Sequence, residues 1–186
     1  MNFSYPRTID NGNGEELTFL RLIPDKDGGK VEAINRVRPG SGPPMHVHHL
    51  QDECLTVVQG TMAAQVEGEE PVIYGPGDTA MFKRGVVHKF WNAGSDMLVC
   101  TGWVGPVYNF EYFLTEVFQS MKDSGGKAPS ILDGAYLLSR YKTEFDMMVV
   151  PTPVKKILFP IIVMVGKLTG RYRKYATAPA PVVIKR

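Results

Sequence analysis

The stretch GSGPPMHVHHLQDECLTVVQG, residues 40–60, holds three of the four histidines of this 186-residue chain within four positions. On a β-strand, side chains at i and i+2 point to the same face, so His46 and His48 can reach into one space together. His49 then points to the opposite face, while Glu53 begins the next apolar run and could supply a carboxylate. Imidazole nitrogens and carboxylate oxygens are ligands for divalent metal ions. The stretch therefore predicts a metal site that needs a further donor from elsewhere.

The remaining histidine, His88, lies within a second set of spaced residues, and the two sets together resemble the sequence motifs of the cupin family. The first motif is matched at its spacing by Gly40, His46, His48, Glu53 and Gly60. The second motif begins after 16 intervening residues and is matched by Gly77, Gly85, His88 and Asn92. One position departs from the pattern, because Lys83 stands where the second motif usually has proline. That position stiffens a turn and ligates nothing, so the departure leaves the expected metal site intact.

The resemblance extends over about residues 17–107 and implies an all-β fold, a cupin (double-stranded β-helix, jelly-roll) barrel followed by C-terminal α-helices. It also implies one divalent metal ion inside the barrel. The ligands that it implies are His46, His48, Glu53 and His88. Three imidazoles and one carboxylate suit Fe, Mn, Ni, Zn, Co or Cu, and the ligand set alone does not choose among them.

Several functions are compatible with such a site. The family includes dioxygenases acting on flavonols, diketones or thiols, as well as isomerases, decarboxylases and non-enzymatic binders. We expect a metal-dependent, dioxygenase-like oxidoreductase acting on a small organic molecule, with no catalytic side chain identified beyond the metal ligands. A non-catalytic ligand-binding or sensing protein with a structural metal is one alternative, and a cupin isomerase or decarboxylase is another.

The segments between residues 17 and 107 are short, rich in β-branched and apolar residues, and separated by Gly, Pro or Asn. They leave no room for crossover helices, which favours an antiparallel sandwich or barrel. Residues in phase with the predicted ligands on their strands are expected to line a pocket or fill the core. These candidate pocket residues are Leu55, Val57, Met62, Phe90 and Asn92.

The pattern changes after Pro106, so we predict a boundary between a barrel with an N-terminal arm, residues 1–108, and a helical, basic extension, residues 109–186. Apolar residues recur at helical spacing from Phe110 to Met121. A second helix is predicted over residues 129–145, with Ser130 as its N-cap. The stretch 151–175 predicts a third helical segment, broken or kinked at Phe159-Pro160. The tail, residues 176–186, is expected to be extended and poorly ordered.

Charge is distributed unevenly, because residues 147–186 hold eight of the 21 basic residues and none of the 19 acidic ones. The apolar run within 151–175 is too short to cross a bilayer. We expect it to dock on the barrel or on a neighbouring subunit; an anionic membrane surface is the alternative. No helix-turn-helix pattern is evident, so nucleic acid is not an expected partner. A homodimer that binds a small molecule is expected, and the N-terminus lacks a signal-peptide pattern, which predicts a cytoplasmic protein.

Overall fold

A computed structural model describes residues 3–183, which form eleven β-strands and three α-helices. The strands are β1 Arg7–Asp10, β2 Glu15–Ile23, β3 Lys30–Val37, β4 His46–His48, β5 Asp52–Gln59, β6 Met62–Val66, β7 Val72–Tyr74, β8 Thr79–Phe82, β9 Val87–Asn92, β10 Leu98–Gly105 and β11 Phe145–Met147. The α-helices are α1 Phe110–Ser124, α2 Ile131–Arg140 and α3 Phe159–Leu168. A π-helical turn, Val154–Leu158, precedes α3, and a 3-10 turn, Arg171–Tyr175, follows it.

The strands form two antiparallel sheets. The first has six strands in the order β1-β2-β3-β10-β5-β8, and the second has five in the order β11-β4-β9-β6-β7. A predominantly β fold with C-terminal helices is therefore confirmed. The sequence predicted a closed barrel, whereas the structure shows two sheets.

Alternating burial along the strands explains why these segments pair as they do. In β5, Glu53, Leu55 and Val57 are buried while the residues between them are partly exposed, as expected for a strand with one face on a core. The inward residues of both sheets form one apolar cluster: Val37, Leu55, Val57, Met62, Ala64, Ala80, Phe82, Phe90, Leu98 and Cys100. Fully burying a side chain such as Leu98 contributes about 1.5–3 kcal/mol.

A second apolar cluster joins the six-stranded sheet to residues 109–186, which we call the C-terminal region. It includes Phe19 and Val31 from the sheet and Phe113, Leu137 and Tyr141 from the C-terminal region. The side chains of Leu137 and Tyr141 are fully buried. The helices therefore close over the sheet and share its core.

Helix α2 begins where the sequence predicted but ends earlier. The Ser130 side chain accepts a hydrogen bond from the backbone N–H of Asp133, which confirms the predicted N-cap. The helix stops at Arg140 instead of continuing to Phe145. Phe145 instead begins β11, which pairs antiparallel with β4. Pairing with a strand distant in sequence thus overrides the local helical pattern.

The helix is not broken at Phe159-Pro160, which corrects the prediction of a break; what changes there is the type of helix. The π-helical turn ends at Leu158 and continues directly into α3, because Leu158 and Phe159 both keep right-handed helical backbone angles and the N–H of Phe159 donates to the carbonyl of Val154. Helix α3 packs on α2, and a methyl group added at Gly166 would overlap the ring of Tyr172. Within residues 3–183 no helix combines the length and hydropathy needed to span a membrane.

The described part of the tail is anchored, which corrects the expectation of poor order for residues 176–183. The carbonyl of Pro179 accepts hydrogen bonds from the side chains of Arg140 and Tyr141. The buried Glu144 carboxylate accepts from the backbone N–H of Val182 and from the Asn109 side chain, at 3.3 and 2.6 Å. Extended backbone is thus held by side-chain partners that a local sequence pattern does not reveal. Residues 184–186 lie outside the described part.

Candidate metal centre

The predicted ligands are brought together by three strands. His46 and His48 lie on β4, Glu53 on β5 and His88 on β9, and His46 is directly opposite His88 in the ladder between β4 and β9. Each of the four residues offers one ligand atom, and these four atoms all lie within 4.8 Å of one another. Donor atoms bound to one metal ion are about 3–4 Å apart, so the observed distances are close to those of a metal site. We call these four residues the His/Glu cluster. His49 is exposed and stands outside it.

The ring orientations of His46 and His88 are fixed by backbone carbonyls. The Nδ1 atoms of His46 and His88 lie 2.9 Å from the carbonyl oxygens of Pro44 and Val86. A carbonyl oxygen only accepts, so each Nδ1 carries the proton, and a neutral ring then presents the lone pair of Nε2. This is the arrangement in which metal-binding histidines are usually held.

The contact between His88 and Glu53 tests whether the cluster suits a cation. Nε2 of His88 lies 3.0 Å from Oε2 of Glu53, and Nε2 of His48 lies 3.7 Å from the same oxygen. With its proton on Nδ1, neutral His88 turns a lone pair toward a carboxylate oxygen, and two acceptors at this distance repel each other. A proton or a metal ion between them removes the repulsion. The donor set therefore fits a bound cation.

Burial sets the ionisation of the cluster. It lowers the pKa of His46 to about 4 and of His48 to about 3, and the neighbouring imidazoles add to the effect. Burial alone would raise the pKa of Glu53, but when Nε2 of His88 carries a proton and donates it to the carboxylate, that hydrogen bond and the neighbouring imidazoles outweigh burial and lower that pKa. Neutral imidazoles beside an ionised carboxylate are the protonation states that metal coordination requires.

Aromatic side chains hold two of the rings in place. Phe82 stacks on His88 with centroids 4.0 Å apart and planes 9° from parallel. His48 packs against Phe110 and Phe145, each with centroids at 5.6 Å. Both of these phenylalanines come from the C-terminal region, which therefore helps to position a residue of the His/Glu cluster.

The cluster faces a large cavity of about 760 Å³ between the sheets and the C-terminal region. His46, His48 and Glu53 all contribute to its wall. Most other lining side chains are apolar, among them Leu17, Val31, Phe110, Phe113, Leu114, Val117, Phe118, Leu138 and Phe159. Such a space suits an apolar organic molecule with a few polar groups.

The predicted pocket residues divide into two groups. Leu55 and Phe90 line the cavity. Val57 and Met62 do not, because both are packed in the apolar cluster between the sheets. Asn92 does not line it either, since its side-chain amide donates to the carbonyls of Val37 and Asp96. Strand parity identified the inward face correctly but not how far along the strand the cavity extends.

Two of the cavity residues that were not predicted from the sequence are polar and buried. Glu15 on β2 and Asn35 on β3 both line the cavity and are 8% and 5% exposed. A signal exists in the sequence, because Glu15 is in phase with the buried Leu17, and Asn35 with the buried Val31 and Val37. Polar residues on the apolar face of a strand are uncommon and mark sites worth testing.

Comparison with known proteins agrees with the motif spacing. Residues 33–104 match the family model described as a cupin domain. Over 81 residues the chain is 36% identical to a protein named oxidoreductase iacF from Pestalotiopsis fici, covering 42% of this chain and 40% of that protein. The chain thus spans less than half the length of this relative.

Two solved structures are similar over about half of the chain. KdgF from Halomonas sp. has a TM-score of 0.45 at 22% identity, over 53% of this chain and 86% of that one. A putative sugar phosphate isomerase from Acidithiobacillus ferrooxidans has a TM-score of 0.42 at 22% identity, over 50% of this chain and 60% of that one. The family match and the motif spacing show that this chain carries a cupin domain.

Proposed function

We propose that the His/Glu cluster binds one divalent metal ion and that the protein is a metal-dependent, dioxygenase-like oxidoreductase acting on a small, largely apolar molecule. The observation that carries this proposal is the convergence of three imidazoles and one carboxylate at the wall of the 760 Å³ cavity. When bound, a divalent ion would polarise a substrate oxygen, and a redox-active one would also support chemistry with O2.

The residues of the chain have defined tasks in this proposal. The His/Glu cluster holds the ion with its imidazoles neutral and its carboxylate ionised. Four protein ligands leave coordination positions open for substrate around a six-coordinate ion. The phenylalanines and aliphatic side chains of the cavity exclude water and bind the apolar body of the substrate. The similarity to a protein named an oxidoreductase supports this class of reaction.

Metal content tests the site itself. Wild-type protein purified after expression in metal-supplemented medium should contain close to one equivalent of a divalent ion by inductively coupled plasma mass spectrometry. Replacing His46, His48 or His88 by Ala, or Glu53 by Gln, should reduce metal affinity strongly. The loss should exceed the ~10–100-fold that is typical when a residue that only hydrogen-bonds to a ligand is replaced. His49→Ala is the matched control and should retain the metal. Equal loss in all five variants, or no metal in wild type, would contradict the assignment.

Oxygen consumption tests the reaction class. Protein loaded with Fe(II) or Mn(II) should consume O2 in the presence of at least one of a set of apolar diketones, flavonols and thiols. The His88→Ala variant under the same conditions is the negative control. Bound metal without consumption by any of these compounds would favour a ligand-binding protein with a structural metal.

A further inference from the structure

Glu15 and Asn35 form a buried polar pair in the cavity wall, apart from the His/Glu cluster. Asn35 Nδ2 donates a hydrogen bond of 2.9 Å to Glu15 Oε1. The other polar atom of the amide, Oδ1 of Asn35, is buried and has no hydrogen-bond partner among the described residues. An acceptor left in this state costs about 1–3 kcal/mol.

The pair also lacks a compensating positive charge. No lysine or arginine of residues 3–183 forms an ion pair with Glu15. Burial raises the pKa of Glu15 to about 7, the hydrogen bond from Asn35 opposes the rise, and the charge of Glu53 adds to it. Glu53 belongs to the His/Glu cluster, so the two polar sites are close enough to influence each other across the cavity.

A purely structural role explains the pair poorly. Strands β2 and β3 are already paired from Glu15 to Ile23, so one more hydrogen bond between their side chains is not needed to fix the register. Apolar residues at both positions would fill the same space without burying an unpaired acceptor. A bound molecule that donates a hydrogen bond would remove this cost.

We propose that Asn35, oriented by Glu15, is a second polar subsite that accepts a hydrogen bond from a hydroxyl or N–H group of the substrate. The substrate class is then an apolar molecule with a metal-binding oxygen group at one end and a hydrogen-bond donor at the other. The metal-binding oxygen group of this substrate rests on the proposed function. Its hydrogen-bond donor rests on Asn35 alone.

A panel of related chelators tests the subsite. The probes are 3-hydroxyflavone, which has no second hydroxyl, and its derivatives with one added hydroxyl at the 2′, 3′ or 4′ position. Binding to Mn(II)-loaded protein is followed by flavone fluorescence at about pH 8, where Glu15 is ionised and cannot donate to Asn35. At least one hydroxylated probe should bind wild type about 5- to 10-fold more tightly than 3-hydroxyflavone, the value of one hydrogen bond.

Variants assign that preference to the amide. In Asn35→Leu and Asn35→Ala the ratio of the affinities for the hydroxylated probe and for 3-hydroxyflavone should fall to about one, while the metal content stays that of wild type. The proposal is overturned if wild type shows no preference, if both variants keep it, or if no probe binds. The wild-type measurement alone can refute the proposal, whether or not the variants fold. Failure of the proposed function would appear separately, as wild-type protein that contains no metal. Metal-free protein that still preferred a hydroxylated probe over 3-hydroxyflavone would support the subsite.

A second inference concerns the outer face of residues 157–168. Spacings of four, three, one and three residues place an apolar stripe on one side of the helical segment. The stripe consists of Ile157, Ile161, Met164, Val165 and Leu168, which are 44–81% exposed. Phe159 and Gly166 lie on the other side of the helix and are buried. The predicted docking of this segment on the rest of the protein therefore involves only the side that carries these two residues.

The charges around the apolar stripe indicate what covers it. Lys156, Lys167 and Arg173 are exposed and form no ion pair within residues 3–183, and residues 147–186 contain no acidic residue. A two-fold contact between copies would bring these like charges together. We infer that the apolar stripe and its basic flank bind an anionic membrane surface.

Vesicle sedimentation tests this inference. Full-length protein should pellet with phosphatidylcholine vesicles that contain phosphatidylserine, and at least fivefold less with phosphatidylcholine alone. Ile161→Ser with Leu168→Ser should abolish pelleting, whereas Ile131→Ser, at an exposed apolar residue of α2, should not. Absence of pelleting overturns the inference. A dimer seen by analytical ultracentrifugation and lost in the double variant would assign the stripe to a second copy instead.

Discussion

Replacing Glu15 by Gln should change how the stability of the protein depends on pH. The pKa of Glu15 is about 7 in the folded protein, against an ordinary value of 4.5. The folded state therefore holds this proton more tightly than the unfolded state does. The resulting stabilisation is fully present below about pH 4.5, declines as the pH rises, and is lost above about pH 7.

The size of the effect follows from the width of that window. Each pH unit between the two pKa values corresponds to about 1.4 kcal/mol, so the free energy of unfolding of wild type should fall by ~3 kcal/mol relative to Glu15→Gln between pH 4.5 and 8. Glutamine does not titrate, and all other ionisable groups are common to both proteins. Their contributions therefore cancel in the difference.

Urea unfolding of metal-free protein, followed by circular dichroism at intervals across this pH range, measures the difference. Glu16→Gln removes a carboxylate from the next residue of the same strand, where the side chain is 47% exposed, and serves as the surface control. A wild-type-minus-variant difference that stays constant within about 0.5 kcal/mol would refute the reasoning, because the buried carboxyl would then titrate alike in both states.

Three further predictions concern packing and positioning. Glu144→Gln should lower the free energy of unfolding by about 2–3 kcal/mol. The buried carboxylate accepts several N–H groups, whereas one end of the glutamine amide is itself a donor and cannot accept them. An unchanged urea midpoint would contradict this prediction. Gly166→Ala should lower the free energy of unfolding by about 1–3 kcal/mol, because the added methyl group would overlap the ring of Tyr172. Gly134→Ala in α2 should instead raise it by about 0.5–1 kcal/mol, because the added methyl group makes only ordinary contacts there. Phe82→Leu removes the ring stacked on His88 and should weaken metal binding about tenfold in a competitive chelator titration; unaltered affinity would show that the stacking does not position the ligand.

Local signals in the sequence were sufficient for most strands between residues 17 and 107, whereas the convergence of all four residues of the His/Glu cluster was predicted from the resemblance to the cupin motifs. The i, i+2 relation of His46 and His48 needs only a strand, and the structure places both on β4. The Ser130 cap is also a short-range effect and is present. These features depend on a few neighbouring residues, so a single sequence carries enough information for them.

Features that depend on distant segments were not predictable in this way. Phe145 continues an apolar helical pattern, yet it lies in a strand because β4 offers a free edge. Val57 and Leu55 share a face of β5, but only Leu55 reaches the cavity, whose extent is set by the helices that cover it. Glu15 and Asn35 become one site only because β2 and β3 are neighbours in the sheet.

The pairing of β11 with β4 has a consequence for the order of events during synthesis. Strand β4 is three residues long, carries two members of the His/Glu cluster, and lies between β9 and β11. When the ribosome has released only residues 1–108, one edge of β4 is still unpaired, and Phe110 and Phe145 are not yet packed on His48. A segment completed tens of residues later, at about 5–20 residues per second, supplies both. We therefore expect a metal ion to bind the His/Glu cluster only late, after the C-terminal region has been synthesised.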